Sequence, residues 1–212
     1  MRPPNSWATA RVTLALTLIT AAAMAVLTVL RLEDRAVAWG AFVPARLSPD
    51  IAIGGAPVWL TPLTATLVHA NWIHLAFNLL ILVFCGRPTE AVVGPFAIAV
   101  MYVVGAYAAA AAHLAVDPTD VTPMIGASGA VSAVIGAYAI LFGRNKVKVA
   151  SPRLAMWLNA LWLMAAWVAL QLVVGFTFAG RGLNVAIAAH IGGFLVGVAL
   201  ANPLLLFRYR RA

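Results

Sequence analysis

The chain contains very little charge for its length. Lysine, arginine, aspartate and glutamate together make up 9% of the 212 residues, whereas 64% of the residues are hydrophobic. Several uncharged segments exceed the roughly 18 residues that a helix needs to span a bilayer. This composition excludes a soluble globular domain and predicts a polytopic membrane protein with little structure outside the lipid.

Cysteine and acidic residues are also scarce. The one cysteine, Cys85, has no partner for an internal disulfide, and Cys and His form no cluster with metal-ligand spacing. Six acids against 14 basic residues give a formal net charge of +8. In a membrane protein such an excess more often reflects topology and anionic headgroups than nucleic-acid binding. We therefore expect the lipid bilayer as a partner, no nucleic acid, and no metal, nucleotide or redox cofactor.

Apolar segments separated by polar or proline-containing turns define the fold class, an all-α membrane protein with six transmembrane helices. The first segment is longer than the roughly 7–15 apolar residues of a signal peptide, which favours a membrane helix. A polar turn is expected at residues 87–90, and residues 31–57 are expected to lie in the membrane interface. The predicted spans are residues 12–30, 63–85, 96–113, 126–142, 154–178 and 184–207.

The basic residues are distributed unevenly between the two sides of such a bundle. With the N-terminus in the cytoplasm, 10 of the 14 basic residues lie inside and 4 lie outside. We therefore expect a multi-pass protein of a bacterial-type plasma membrane with both termini cytoplasmic. The expected organisation is a short N-terminus at residues 1–11, one helical domain at 12–207 and a basic tail at 208–212.

Two polar residues stand in the most apolar part of the chain. Ser128 opens the fourth span, and His190 lies about six residues into the sixth, roughly 10 Å from its start. A hydroxyl and an imidazole are costly in lipid unless they meet a partner, and they can meet each other. Serine becomes a strong nucleophile when an adjacent base takes its proton, and histidine suits that role. The pair indicates proteolysis within the bilayer.

Two further polar residues share one face of the second span. His74 and Asn78 are four positions apart in the sequence, and both can donate hydrogen bonds. Acyl transfer from a serine needs donors aimed at the developing oxyanion, and the Ser128 N–H at a helix start could add another. The alternative is that the two side chains only hold helices together by hydrogen bonds.

These residues lie in three motifs that occur in order on the expected spans. They are His69-Ala70-Asn71-Trp72-Ile73-His74-Leu75-Ala76-Phe77-Asn78, Gly126-Ala127-Ser128-Gly129 and Ala189-His190-Ile191-Gly192-Gly193 with Gly197. With these motifs the chain resembles, over almost its whole length, the rhomboid intramembrane serine proteases. A further piece, Gly86-Arg87 with Glu90 and Gly94, resembles the family's turn after the second helix.

The resemblance implies a rhomboid-like six-helix bundle that acts as an intramembrane serine endopeptidase on transmembrane segments of other proteins. It implies that Ser128 is the nucleophile and His190 its base, without an aspartate. His74 and Asn78 would help to form the oxyanion hole, and His69 would be a supporting residue near the path of water to the site.

The sequence departs from the family pattern at two places. The family often has Trp-Arg in the first outer loop, whereas here Trp59 is followed by Leu60. An aromatic residue often lies four positions after the serine and stacks on the histidine, but this chain has Ser132 there. Either His190 is then held less firmly, or a different ring contacts it. The tryptophans of the fifth span repeat every five residues, so they spread around the helix and should mostly face lipid or neighbouring helices: Trp157, Trp162 and Trp167.

Two other functions were compatible with a helical membrane bundle. A rhomboid-like pseudoprotease would bind membrane clients without cleaving them, and loss of the serine or histidine would indicate it. A small transporter or channel would be expected to carry carboxylates or broken helices near the middle of the membrane. We expect no acid inside any span, which disfavours a transporter.

Overall fold

The computed structural model describes residues 10–49, 54–142, 151–178 and 183–210, with the side chains of 171–178 and 183–186 excepted. The described parts form α-helices and two short 3-10 turns, with an isolated bridge between Phe42 and Met124 as their sole β-type pairing. The helices are α1 (Arg11–Val29), α2 (Glu33–Gly40), α3 (Thr61–Thr64), α4 (Trp72–Val93), α5 (Pro95–Val116), α6 (Ser128–Phe142), α7 (Pro152–Phe178) and α8 (Leu183–Tyr209).

Five helices, α1, α4, α5, α7 and α8, are long and apolar enough to cross a membrane. Helix α6, which corresponds to the fourth predicted span, has only 15 residues, or roughly 22 Å at 1.5 Å per residue. This is shorter than the hydrocarbon core of about 30 Å, so α6 cannot reach both membrane surfaces. The expected all-helical membrane bundle is confirmed, with α6 as its short member.

The short helix α6 lies at the centre of the bundle, and α1 lies at its edge. Twelve of the 15 residues of α6 are buried, against three of the 19 residues of α1. Small residues let the neighbouring helices approach α6 closely, as in many membrane bundles. A Cβ added at Gly105 of α5 would lie 2.6 Å from the Cβ of Ala133, and one at Gly136 would meet the Phe194 carbonyl of α8.

The predicted bounds of the second span were wrong at both ends. Helix α4 begins about nine residues later, where the Asn71 side chain accepts the backbone N–H of His74 at 2.8 Å and caps the helix. It continues through Pro88 to Val93, so the expected polar turn at 87–90 is helical. Gly94, with φ of +90°, ends the helix, and Pro95 opens the next one.

The last turn of α4 contains a buried carboxylate that contacts α1. Glu90 is 1% exposed, and its two carboxylate oxygens accept the backbone N–H groups of Val12 and Thr13 at 2.9 and 2.7 Å. The Thr13 hydroxyl also donates to it at 2.7 Å. Glu90 therefore satisfies two backbone N–H groups at the start of α1 that have no partner within the helix.

Glu90 also corrects the argument that no acid lies inside a span. It lies in the last turn of α4, far along the helix from the middle of the membrane, and its hydrogen bonds serve packing against α1. Arg208 of α8 completes this end of the bundle, because its Nη1 donates to the Ala91 carbonyl at 2.9 Å.

The segment expected in the membrane interface, residues 31–57, partly packs against the rest of the protein. It contains α2 and a 3-10 turn at Pro44–Leu47, and Phe42 and Ala45 are buried. Residues 1–9 of the expected N-terminus and residues 211–212 of the expected basic tail lie outside the described residues.

Candidate active site

Ser128 and His190 are in contact inside the bundle. The Nε2 atom of His190 lies 2.8 Å from the Oγ atom of Ser128, which is hydrogen-bond distance. The residues are 7% and 4% exposed, so the contact is largely shielded. Ser128 is the first residue of α6 and His190 lies in α8, so the pair joins the central helix to a long neighbour.

Close packing of α6 against α8 makes this contact geometrically available. A Cβ placed on Gly193 would meet the carbonyl oxygen of Gly129 and would lie 3.1 Å from the Cβ of Ser132. Gly193 is three residues after His190, on the same face of α8. A larger residue at this position would push the helix that carries the histidine away from the serine.

The backbone immediately before Ser128 is packed against two histidines. Gly126 has φ of +103°, a conformation that favours glycine, and a Cβ there would lie 2.6 Å from Cε1 of His74. His69 accepts the backbone N–H of Ala127 through Nε2 at 3.3 Å. The two imidazole rings contact each other edge to face, with centroids 5.2 Å apart. His69 and His74 therefore hold the turn that presents Ser128.

Asn78 lies one helical turn beyond His74 on α4 and is fully buried. One N–H of its side-chain amide donates to the His74 carbonyl at 3.0 Å. An amide has two such donors, so the second remains for another acceptor. The structure thus places His74 against the serine turn and Asn78 one turn along the same helix.

Two polar side chains form a hydrogen-bond chain that ends at Ser128. The Ser132 hydroxyl donates to the Ser128 carbonyl at 2.7 Å, and the Trp167 indole N–H donates to the Ser132 Oγ at 2.7 Å. The Trp167 ring contacts the His190 ring edge to face, with centroids 6.0 Å apart. Trp167 is therefore the aromatic residue that contacts His190 in this chain, where Ser132 replaces the family's usual aromatic residue. The five-residue spacing of the tryptophans in the sequence did not distinguish Trp167 from Trp157 and Trp162.

The loop that leads to the serine turn is anchored by a hydrogen bond between His113 and Asp120. His113 Nε2 lies 2.9 Å from the Asp120 carboxylate, and His113 is fully buried. Burial raises the pKa of Asp120, but hydrogen bonds from His113 and from the Thr122 backbone lower it by more. Asp120 is therefore ionised at neutral pH and able to accept from both partners.

The backbone adds a second anchor to this loop. Phe42 and Met124 exchange hydrogen bonds of 3.1 and 2.8 Å, and the Gly126 N–H donates to the Ala65 carbonyl at 2.9 Å.

Within the described residues, no group of three or more His, Cys, Asp or Glu side chains is arranged to hold a metal ion.

These features define a helical membrane protein with a shielded serine–histidine contact at the start of a short central helix. The family model described as "Rhomboid domain" matches residues 57–207. The chain therefore belongs to the rhomboid family and is an integral membrane protein.

Two curated relatives carry the same family name. The chain is 30% identical over 156 residues to "Rhomboid-like protein 11, chloroplastic" of Arabidopsis thaliana, covering 68% of this chain and 52% of the relative. It is 29% identical over 135 residues to "Rhomboid-related protein 2" of Mus musculus, covering 63% of this chain and 44% of the relative. The chain thus spans about half the length of the curated relatives it matches.

Proposed function

We propose that the protein is an intramembrane serine endopeptidase that cleaves transmembrane segments of other membrane proteins. The observation that carries the proposal is the 2.8 Å contact between His190 Nε2 and Ser128 Oγ in a shielded position. With Nε2 unprotonated, the serine hydroxyl donates to it and loses its proton as Oγ attacks the scissile carbonyl. His190 then gives that proton to the leaving amine.

The acyl-enzyme must next be hydrolysed by water. His190 takes a proton from that water as the water attacks the ester, and Ser128 recovers its proton when the peptide acid leaves. Lipid supplies no water, so a route from one membrane face to Ser128 is required. His69 is proposed as a supporting residue beside this route, and its contact with the Ala127 N–H would also keep the serine turn in place.

The oxyanion that forms during both steps needs preorganised donors. The Ser128 N–H lies at the start of α6, where N–H groups have no partner within the helix and the helix dipole favours negative charge. We propose that His74 and the free amide N–H of Asn78 supply side-chain donors. The packing of His74 against Gly126 supports this assignment, since it brings the ring to the residue two before the serine.

The experiment that tests the activity is incubation of the purified protein, in detergent and in liposomes, with a panel of labelled single-span substrates. Wild type should release fragments cut within the span, and Ser128→Ala should release none. Binding of a substrate by wild type without any cleavage across the panel would favour a pseudoprotease instead.

We further propose that the protein lies in a bacterial-type plasma membrane with both termini cytoplasmic. The support is the excess of basic residues, 10 of 14, on the side of the N-terminus. Residues 1–11 and 208–212 would then be short cytoplasmic extensions of one domain at 12–207. Ser128 would lie in the outer half of the bilayer, so substrates would be cut near their outer ends.

This orientation predicts a one-sided labelling pattern. On a Cys85→Ala background, Thr119→Cys should react with an impermeant thiol reagent from outside, and Ser151→Cys only after the membrane is opened. Thr119 and Ser151 are exposed, whereas Cys85 is buried, and its removal leaves the introduced cysteine as the one thiol. Labelling of Ser151→Cys alone in intact cells would reverse the orientation.

Asn78→Ala should lower kcat with little change in melting temperature if the amide donates to the oxyanion. Loss of one such donor costs about 10²–10³ in rate in soluble serine enzymes. We expect roughly a tenfold to hundredfold loss here, because His74 and the Ser128 N–H remain. The measurement compares initial rates and thermal unfolding of the same preparations.

A matched control separates this role from helix stability. Asn71→Ala removes the cap of the same helix and should lower stability by about 0.5–2 kcal/mol, with a smaller effect on kcat. An Asn78→Ala protein that melts early but turns over normally in the cold would assign Asn78 to packing.

A further inference from the structure

Trp167 connects three helices at the serine–histidine pair. It lies in α7 and is 3% exposed, whereas Trp157 and Trp162 of the same helix are 53% and 68% exposed. The ring of Trp167 therefore turns inward while its two sequence neighbours in the series face outward. The indole N–H of this buried tryptophan needs a hydrogen-bond acceptor inside the bundle.

The indole N–H finds that partner in α6. It donates to the Ser132 Oγ at 2.7 Å, and the Ser132 hydroxyl donates in turn to the Ser128 carbonyl at 2.7 Å. Ser132 is fully buried, so neither bond competes with solvent. The chain of two bonds fixes Trp167 relative to the first turn of α6, where the serine lies.

The indole ring finds a second partner in α8. Its centroid lies 6.0 Å from that of the His190 imidazole, with an interplanar angle of 60°. Rings at separations of about 4.5–7 Å prefer this edge-to-face arrangement, which restricts the orientation of both. Trp167 is therefore linked to Ser128 through Ser132 and directly contacts the imidazole ring of His190.

We propose that Trp167 is the positioning residue for His190, and that Ser132 serves as the anchor that aligns Trp167 with Ser128. The proposal rests on the proposed protease function. Trp167 touches no reacting atom; it restricts rotation and displacement of the imidazole, so that Nε2 stays 2.8 Å from Oγ. Misplacement of reacting groups by about 1 Å can cost about 10² in rate, so a residue that holds this distance affects kcat.

Graded substitutions separate the ring contact from the hydrogen bond. Trp167→Leu removes both and should lower kcat about tenfold to hundredfold with KM nearly unchanged. Trp167→Phe keeps a ring, and Ser132→Ala keeps the indole, so each should lose about threefold to tenfold, less than the leucine variant. Trp162→Leu, on the outer face of the same helix, is the matched control and should retain wild-type kcat.

A second measurement does not depend on turnover. The chain has four histidines, so ¹⁵N-histidine labelling gives few imidazole signals, and the His190 signal is assigned by its loss in His190→Ala. Trp167→Leu should shift and broaden the His190 signal, while Trp162→Leu should leave it unchanged. An unchanged His190 signal in Trp167→Leu overturns the positioning role, as does a kcat equal to wild type below the melting temperature.

The same pair of measurements distinguishes the two proposals. If wild type cleaves no substrate but Trp167→Leu still perturbs the His190 signal, the protease function fails and the positioning contact stands. If wild type cleaves and Trp167→Leu changes only the melting temperature, the protease function stands and Trp167 is a packing residue.

Discussion

Ser128→Ala and His190→Ala are each expected to abolish cleavage of transmembrane substrates. The serine variant lacks the nucleophile, and the histidine variant lacks the base that lies 2.8 Å from it. In a soluble serine protease, loss of the serine or of the histidine costs on the order of 10⁶ in kcat, which is beyond the range of a fragment-release assay. Combining the two should cost no more than either alone, because the pair acts as a unit.

Stability measurements decide whether these losses reflect chemistry. Ser128→Ala removes one small hydroxyl, so its melting temperature should stay close to that of wild type. His190→Ala also removes a ring packed against Trp167, so a modest decrease is expected there. Clear proteolysis by a sequence-verified Ser128→Ala protein would exclude the serine mechanism, whatever the histidine variant does.

The family and the helical bundle could be predicted from the sequence because their signals are local. Uncharged segments of sufficient length indicate spans, and the motifs around Ser128 and His190 occur on the correct ones. The contact between these two side chains was expected from the cost of isolated polar groups in lipid, and the structure contains it. Their catalytic roles stay a prediction.

The features that the sequence did not indicate depend on partners far along the chain. Glu90 looks like part of a polar turn until its carboxylate is paired with α1, 77 residues earlier. The start of α4 was missed because no charged residue follows Pro62 before the helix, and the Asn71 cap marks the boundary. Trp167 belongs to a regular series, and only its burial against Ser132 and His190 distinguishes it.

Gly197→Ala is expected to destabilise the bundle and to lower activity at least about a hundredfold. A Cβ at this position of α8 would meet the Ala133 carbonyl oxygen and lie 2.6 Å from the Ala133 Cα. These are backbone atoms of α6, so no side chain can rotate away and one helix must move. Gly197 is seven residues after His190 on the same face, so the movement shifts His190 relative to Ser128.

The sign of the stability change makes this prediction decisive. Helix propensity alone favours alanine over glycine by about 1 kcal/mol, whereas overpacking typically costs about 1–3 kcal/mol, so the melting temperature should fall. Gly86→Ala in α4 is the matched control: its Cβ would approach the Thr13 side chain at 3.0 Å, away from the serine–histidine pair. It should lower stability by less and retain most activity. A Gly197→Ala protein that melts higher than wild type and cleaves normally would mean that α6 and α8 are farther apart, and that their close packing does not hold Ser128 against His190.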